Sequence, residues 1–182
     1  VAHDTAETGN KGLFLRGTNT AGNMITSQLT DNGAGVLSVT VDGGATWILS
    51  NSTNSYTGGT TASAGALGIG DDAALSTGGL VNSNGNVFAH GGDRSLANVV
   101  TLSNNATNGW LGDYNITFGT AANLAAGANN VNTYNSIATG KALTFGGGIT
   151  ANALTANRTW TLDGAGETVI NGDFTTTTAF GV

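Results

Sequence analysis

The sequence predicts an all-β chain and, within that class, a coiled sheet or β-solenoid. Three observations carry the prediction: helix periodicity is missing, short alternating runs recur, and the composition is poor in charge and free of proline. No window places apolar residues at i, i+3, i+4 and i+7 with helix formers and caps around them. Gly or Asn interrupts nearly every ten residues, and an interior Gly costs a helix about 1 kcal/mol relative to Ala. Charged residues are 9% of the 182, with two lysines, Lys11 and Lys141, and no proline, against roughly 25% charge in an ordinary domain. A sandwich or meander spends Lys on its outer faces and edges. A solenoid pairs each strand with the rungs above and below, so its sides need no such protection.

Taken in order, the strand-like segments start at Leu13-Phe14-Leu15 and continue with Val36-Leu37-Ser38-Val39-Thr40-Val41 and Thr46-Trp47-Ile48-Leu49-Ser50. Asn98-Val99-Val100-Thr101-Leu102-Ser103, Asn115-Ile116-Thr117-Phe118 and Ala142-Leu143-Thr144-Phe145 follow. Arg158-Thr159-Trp160-Thr161-Leu162 and Thr168-Val169-Ile170-Asn171 come last. Each sets β-branched, aromatic or aliphatic residues in alternation with small polar ones, which is strand chemistry. Several share an apolar-x-apolar-small pattern at irregular spacing, as coils of about 20 residues with variable loops would produce. Between the runs stand Asn32-Gly33, Asp42-Gly43, Asn84-Gly85, Asn108-Gly109, Asp163-Gly164 and Asn171-Gly172. These pairs suit positive φ, and fit hairpin turns and solenoid corners equally well.

Composition also excludes functions. Gly (30), Thr (29), Ala (25) and Asn (22) dominate, cysteine is absent and the net charge is -6. A disulfide scaffold and a cysteine zinc site are ruled out. Five Lys+Arg leave no basic footprint for nucleic acid or anionic lipid. No apolar run approaches the roughly 18 residues of a membrane span. With 39% hydrophobic residues and little charge, the composition is that of a folded chain. The opening Val1-Ala2-His3-Asp4 is neither an initiator methionine nor a signal peptide, which suggests a processed protein or a segment of a longer one.

The candidate chemistry is sparse. The densest acidic pair is Asp71-Asp72, and neighbouring strand residues face opposite ways, so the two carboxylates share a ligand only from a turn. His3 and His90 are the two histidines, and His90-Gly91-Gly92-Asp93-Arg94 reads as a solvated loop with an Asp–Arg contact. The glycosylation-type triplets at Asn51, Asn105, Asn115 and Asn157 occur no more often than 22 asparagines yield by chance. Thr60-Thr61, Thr159-Trp160-Thr161 and Thr175-Thr176-Thr177-Thr178 raise the prospect of a threonine face for ice or glycan, which needs T-x-T in register on several rungs. No catalytic, cofactor or metal residue is assigned, and no enzymatic activity is expected.

One segment is more specific. Gly44-Ala45-Thr46-Trp47-Ile48-Leu49-Ser50, then Asn54-Ser55-Tyr56-Thr57-Gly58-Gly59-Thr60-Thr61, then Ala64-Gly65-Ala66-Leu67 resembles the autotransporter-associated β-strand repeat. The likeness covers residues 43–70. It departs from the family pattern at Asn51, where Gly is usual, at Ala62, where Val is usual, and by one extra residue before Tyr56. The resemblance implies a right-handed parallel β-helix in a secreted or surface-displayed bacterial protein, with Trp47, Leu49 and Leu67 pointing inward and Gly58-Gly59 at a corner. It carries no catalytic residues.

Residues 1–182 are thus expected to form a single β-solenoid domain of roughly eight rungs, with open, uncapped ends. A solenoid exposes unpaired backbone groups at both ends, and no amphipathic helix or charged cap stands at either terminus. The expected role is an extracellular structural unit of a bacterial surface fibre, stalk or adhesin. Its partners would be further copies stacked head to tail or adjoining repeats of a longer chain, and surface glycans, with no nucleic acid, membrane insertion or cofactor. The alternative is a glycan- or ice-binding module using an exposed Thr/Asn face.

Overall fold

The computed structural model describes residues 8–127, 130–151 and 159–176. Over these the chain is all-β, without helix, and its strands pair in parallel as a β-solenoid. The longest sheet stacks β1 (Lys11–Leu15), β3 (Leu37–Val41), β5 (Thr60–Ala62), β7 (Leu80–Asn82), β10 (Val100–Leu102), β13 (Ala122–Leu124), β16 (Ile149–Ala151) and β19 (Phe174–Thr176). A second sheet of seven stacks β2 (Asn23–Ile25), β4 (Thr46–Leu49), β6 (Ala66–Ile69), β8 (Asn86–Ala89), β11 (Thr107–Gly112), β14 (Val131–Ile137) and β17 (Trp160–Asp163). A third of four holds β9 (Arg94–Leu96), β12 (Ile116–Phe118), β15 (Ala142–Phe145) and β18 (Glu167–Ile170).

From β7 onward the chain visits the three sheets in strict rotation. Before that it alternates between the first two, and the third wall is made of turns, with Tyr56, Ala74 and Leu75 fully buried behind them. Register gives the rung length: 20 residues from Thr60 to Leu80 and 27 from Ala122 to Ile149. Eight strands at about 4.8 Å make the longest sheet roughly 34 Å tall.

Most strands of this sheet are three residues long and run in-out-in, as in β5, β7, β10, β13 and β16. Two inward columns result. One climbs through Val39, Thr60, Leu80 and Val100, and the other through Val41, Ala62, Asn82 and Leu102, all buried. Across the interior, Trp110 of the second sheet meets Phe118 and Phe145 of the third edge-on, at centroid distances of 5.5 and 6.2 Å, while the two phenylalanines stack in register. Leu49 and Leu67 are fully buried as the repeat likeness implies, and Trp47 packs half-buried against the same core while its indole N–H donates to the Arg16 carbonyl.

Three sequence expectations need correction. Asn108-Gly109 is not a turn but lies inside β11, with Asn108 fully buried. The side chain holds its place because its amide donates to the carbonyls of Ser103 and Asn132 and its oxygen accepts from the Ser103 N–H, so it replaces backbone partners at a crowded corner. Arg94 is not in a loop but starts β9. Its guanidinium reaches the carbonyls of Ile69, His90 and Asp93, while the Asp93 carboxylate takes Asn115 and Lys141 instead. Asn98 and Val99 precede their strand rather than belonging to it, because the Asn98 amide caps the carbonyls of Ser76 and Gly78. For the remaining Asn-Gly and Asp-Gly pairs, of the two options the sequence leaves open, corners between parallel rungs prevail; the hairpin-like exception is Asn32-Gly33, closed by an antiparallel bridge from Asn32 to Gly35.

Candidate functional site

The repeat-like segment is built from its side chains upward. Tyr56 points into the third wall, where its hydroxyl lies 2.6 Å from Thr60 Oγ1, and burial pushes its pKa up to about 12 despite that hydrogen bond. Thr57 donates its N–H and Oγ1–H to the Asp31 carboxylate of the rung below, and the Leu37 N–H donates to it as well. Burial pulls that carboxyl upward, but the three hydrogen bonds together hold it below the ordinary aspartate value of 3.8. Gly58 turns the corner where a Cβ would lie 2.5 Å from the Leu37 carbonyl oxygen, and Gly59 follows at φ +79. Asn54 bridges three levels, accepting from the Leu29 N–H and donating to the Ala74 carbonyl. Thr57 and Asn54 thus serve neighbouring rungs, while the Tyr56 hydroxyl and Thr60 Oγ1 satisfy each other within one rung.

The other candidates resolve the same way. Asp71 accepts from the Ala73 N–H and Asp72 from the Ser95 N–H, so the adjacent carboxylates cap different backbone groups. Asn115 donates its N–H and its amide to Asp93, with Lys141 adding a third contact at 3.3 Å, and these hold the Asp93 carboxyl below its ordinary value. His90 is edge-on to Phe88 at 6.3 Å. Asn51 is occupied with the Thr26 carbonyl and the Thr53 N–H. His3, Asn157, Thr177 and Thr178 lie outside the described residues. Among the described residues no three His, Cys, Asp or Glu side chains converge as a metal set.

Three surface features remain. The first is a single outward file on the eight-stranded sheet: Thr40, Thr61, Val81, Thr101, Asn123, Thr150 and Thr175, each over the next in register. Thr60-Thr61 splits, Thr60 inward and Thr61 outward. The in-out-in strands allow one outward residue per rung, so the file is one threonine wide and T-x-T does not form. Phe14 heads it, 58% exposed, with the Arg16 guanidinium 5.0 Å over its ring.

The second is the last described rung. Phe174 stands over Ile149, Ile170 over Phe145 and Leu162 over Thr133. The lower partners are buried, whereas the upper ones are 57%, 37% and 45% exposed. The third is a shallow groove of about 230 Å³ on the outer face of the second sheet, lined by Thr107, Asn132, Thr133, Tyr134, Thr161 and Asp163. Reasoning from sequence missed it because β14, Val-Asn-Thr-Tyr-Asn-Ser-Ile, buries Thr133 and Asn135 and exposes Tyr134, so its apolar pattern does not alternate as its burial does. No protein-family model matches this chain, and no curated protein or solved structure shows significant similarity to it.

Proposed function

We propose that the chain is an extracellular structural unit of a bacterial surface fibre, stalk or adhesin, extended by continuing its parallel ladders onto further rungs. The observation that carries this is the face of β17, β18 and β19. It presents strand edges together with Leu162, Ile170 and Phe174, side chains that one rung lower form the core. Covering that face restores both ladder and core, and the occupant that fits is another parallel rung, from adjoining repeats or from a second copy stacked head to tail. A right-handed coil and a bacterial surface follow from the likeness of residues 43–70 to autotransporter-associated repeats. The role is mechanical and needs no cofactor. Negative-stain microscopy of the purified chain is expected to show uniform fibres that lengthen with concentration. Discrete monomers by light scattering at high concentration would overturn self-stacking.

A second reading, a glycan- or ice-binding module, is supported by the outward file of Thr40, Thr61, Thr101, Thr150 and Thr175, although a file one threonine wide lacks the T-x-T pairs that a full binding face needs. Thermal hysteresis abolished by Thr61→Val with Thr101→Val is its expected signature; no hysteresis in the parent chain would remove the ice form.

A further inference from the structure

The groove on the second sheet holds an exposed aromatic ring, Tyr134, among polar side chains, whereas the ring at the head of the threonine file, Phe14, lies under the Arg16 guanidinium. Two outward columns cross β11, β14 and β17: Thr107, Asn132 and Thr161 in one, and Gly109, Tyr134 and Asp163 in the other. Along a strand the columns stand about 7 Å apart, and successive rungs about 4.8 Å. Tyr134 is 46% exposed. Phe14 lies under Arg16 and Phe174 against Trp160, whereas Tyr134 has no ring or cation contact among the described residues.

The inward side of the same strands is pinned. Asn108 donates to the Asn132 carbonyl at 2.7 Å, the Trp160 indole to Thr133 Oγ1 at 3.0 Å, and Asn135 to the Glu167 carbonyl at 2.7 Å. The backbone that carries platform and rim is therefore held before any ligand arrives, which lowers the ordering cost of binding.

We propose that this groove binds an uncharged sugar, one pyranose unit across, with Tyr134 as the stacking platform. The apolar C–H face of a pyranose matches an exposed ring. Its hydroxyls match the hydroxyls of Thr107 and Thr161, the amide of Asn132, and the Asp163 carboxylate as acceptor. A volume of about 230 Å³ falls below the roughly 300–1,000 Å³ of drug-sized sites, so a single sugar unit fits. No Lys or Arg lines the groove, and Asp163 with a net charge of -6 opposes sulfated or carboxylated sugars. The proposal takes up the sugar form of the second reading at a different place, and is independent of whether the chain forms fibres.

The test is saturation-transfer NMR and calorimetry on the intact chain. The panel is the methyl glycosides of glucose, galactose and mannose, with N-acetylglucosamine, and sulfated and uronic counterparts. At least one neutral member is expected to bind. Tyr134→Ala should weaken it about tenfold, Asp163→Asn should weaken it less, and Tyr134→Phe should leave it nearly unchanged. Thr61→Val, on the other sheet, should have no effect, and circular dichroism should show every variant folded. No neutral sugar binding, binding untouched by Tyr134→Ala, or preference for the anionic members would each overturn the proposal. Loss in Thr61→Val with Tyr134→Ala intact would move sugar binding to the threonine file, sinking this site and keeping the second reading.

Discussion

Single side chains do in this molecule what loops and caps do elsewhere: they satisfy the backbone where a rung turns. Asn108 answers three backbone groups of two rungs while fully buried. Asn108→Ala strands them, and a loss of roughly 3 kcal/mol or more is expected in denaturant unfolding. Tyr56→Phe removes one buried hydroxyl, leaving Thr60 Oγ1 without that contact, and about 1–2 kcal/mol should be lost. Asn82 is the contrary case. Its amide donates to the Gly109 carbonyl while its buried Oδ1 has no partner, and the Trp110 indole N–H is equally unpaired. Asp31 and Asp93 are expected to contribute to the acid response. Both carboxyls are lower in the fold than the ordinary 3.8, so their stabilisation is complete above that value and is lost as pH falls through the depressed values. Thermal melting at stepped pH should show the decline beginning only below about pH 4. It should shrink in Asp31→Asn with Asp93→Asn; an unchanged acid profile in that variant would assign the loss elsewhere.

At the scale of the strand, three residues are enough because each is paired above and below and sends two side chains inward. The third sheet sends Phe118 and Phe145 inward in register, edge-on to Trp110 across the interior. Phe145→Ala opens a cavity in the interior and is expected to cost about 3–5 kcal/mol by chemical denaturation. Phe14→Ala, on an outward position, should change stability by no more than about 0.5 kcal/mol. The contrast measures direction of side chain, since both residues are phenylalanines in strands. Runs such as Leu143-Thr144-Phe145 were readable as strands because their inward residues are large and their outward ones polar. The groove on β14 was not, since alternation cannot be seen in sequence when Thr133 and Asn135 take the inward places. Those places became available to them only through the Trp160 indole, the Glu167 carbonyl and the Thr168 hydroxyl, contributed from one rung further along.

For the whole molecule, the decisive property is that, among the described residues, the rung of β17, β18 and β19 exposes Leu162, Ile170 and Phe174, whose counterparts one rung lower are buried. Edge strands with exposed apolar side chains pair with what is available, and in the proposed role the parallel register of β17, β18 and β19 would be continued by a further parallel rung. Leu162→Lys with Phe174→Lys places charge where a further rung would bury it, and is expected to keep the chain monomeric in sedimentation velocity while leaving the rungs below folded. Fibres that persist in this variant would exclude that face as the junction. The low charge also finds its place at this scale. Ladders put the same side of the coil directly above itself every 4.8 Å or so, so a charged column would repel itself, and the charges present are spent on cross-rung contacts such as Arg16 with Asp42 and Lys141 with Asp93.

Composition and pattern alone determined the class, β-strands in a coiled sheet, and the lack of cysteine excludes a cysteine-based site. Periodicity and the scarcity of charge and proline are local properties, and local properties decide which backbone conformations are affordable. The tertiary structure decided which polar residues face inward, that Asn108-Gly109 is strand and not turn, and that Tyr134 stands in a ring of Thr, Asn and Asp. Those outcomes depend on partners 24 to 33 residues away in sequence as well as local ones, one rung along the coil, and a residue's own neighbours in the chain carry no record of what lies above it.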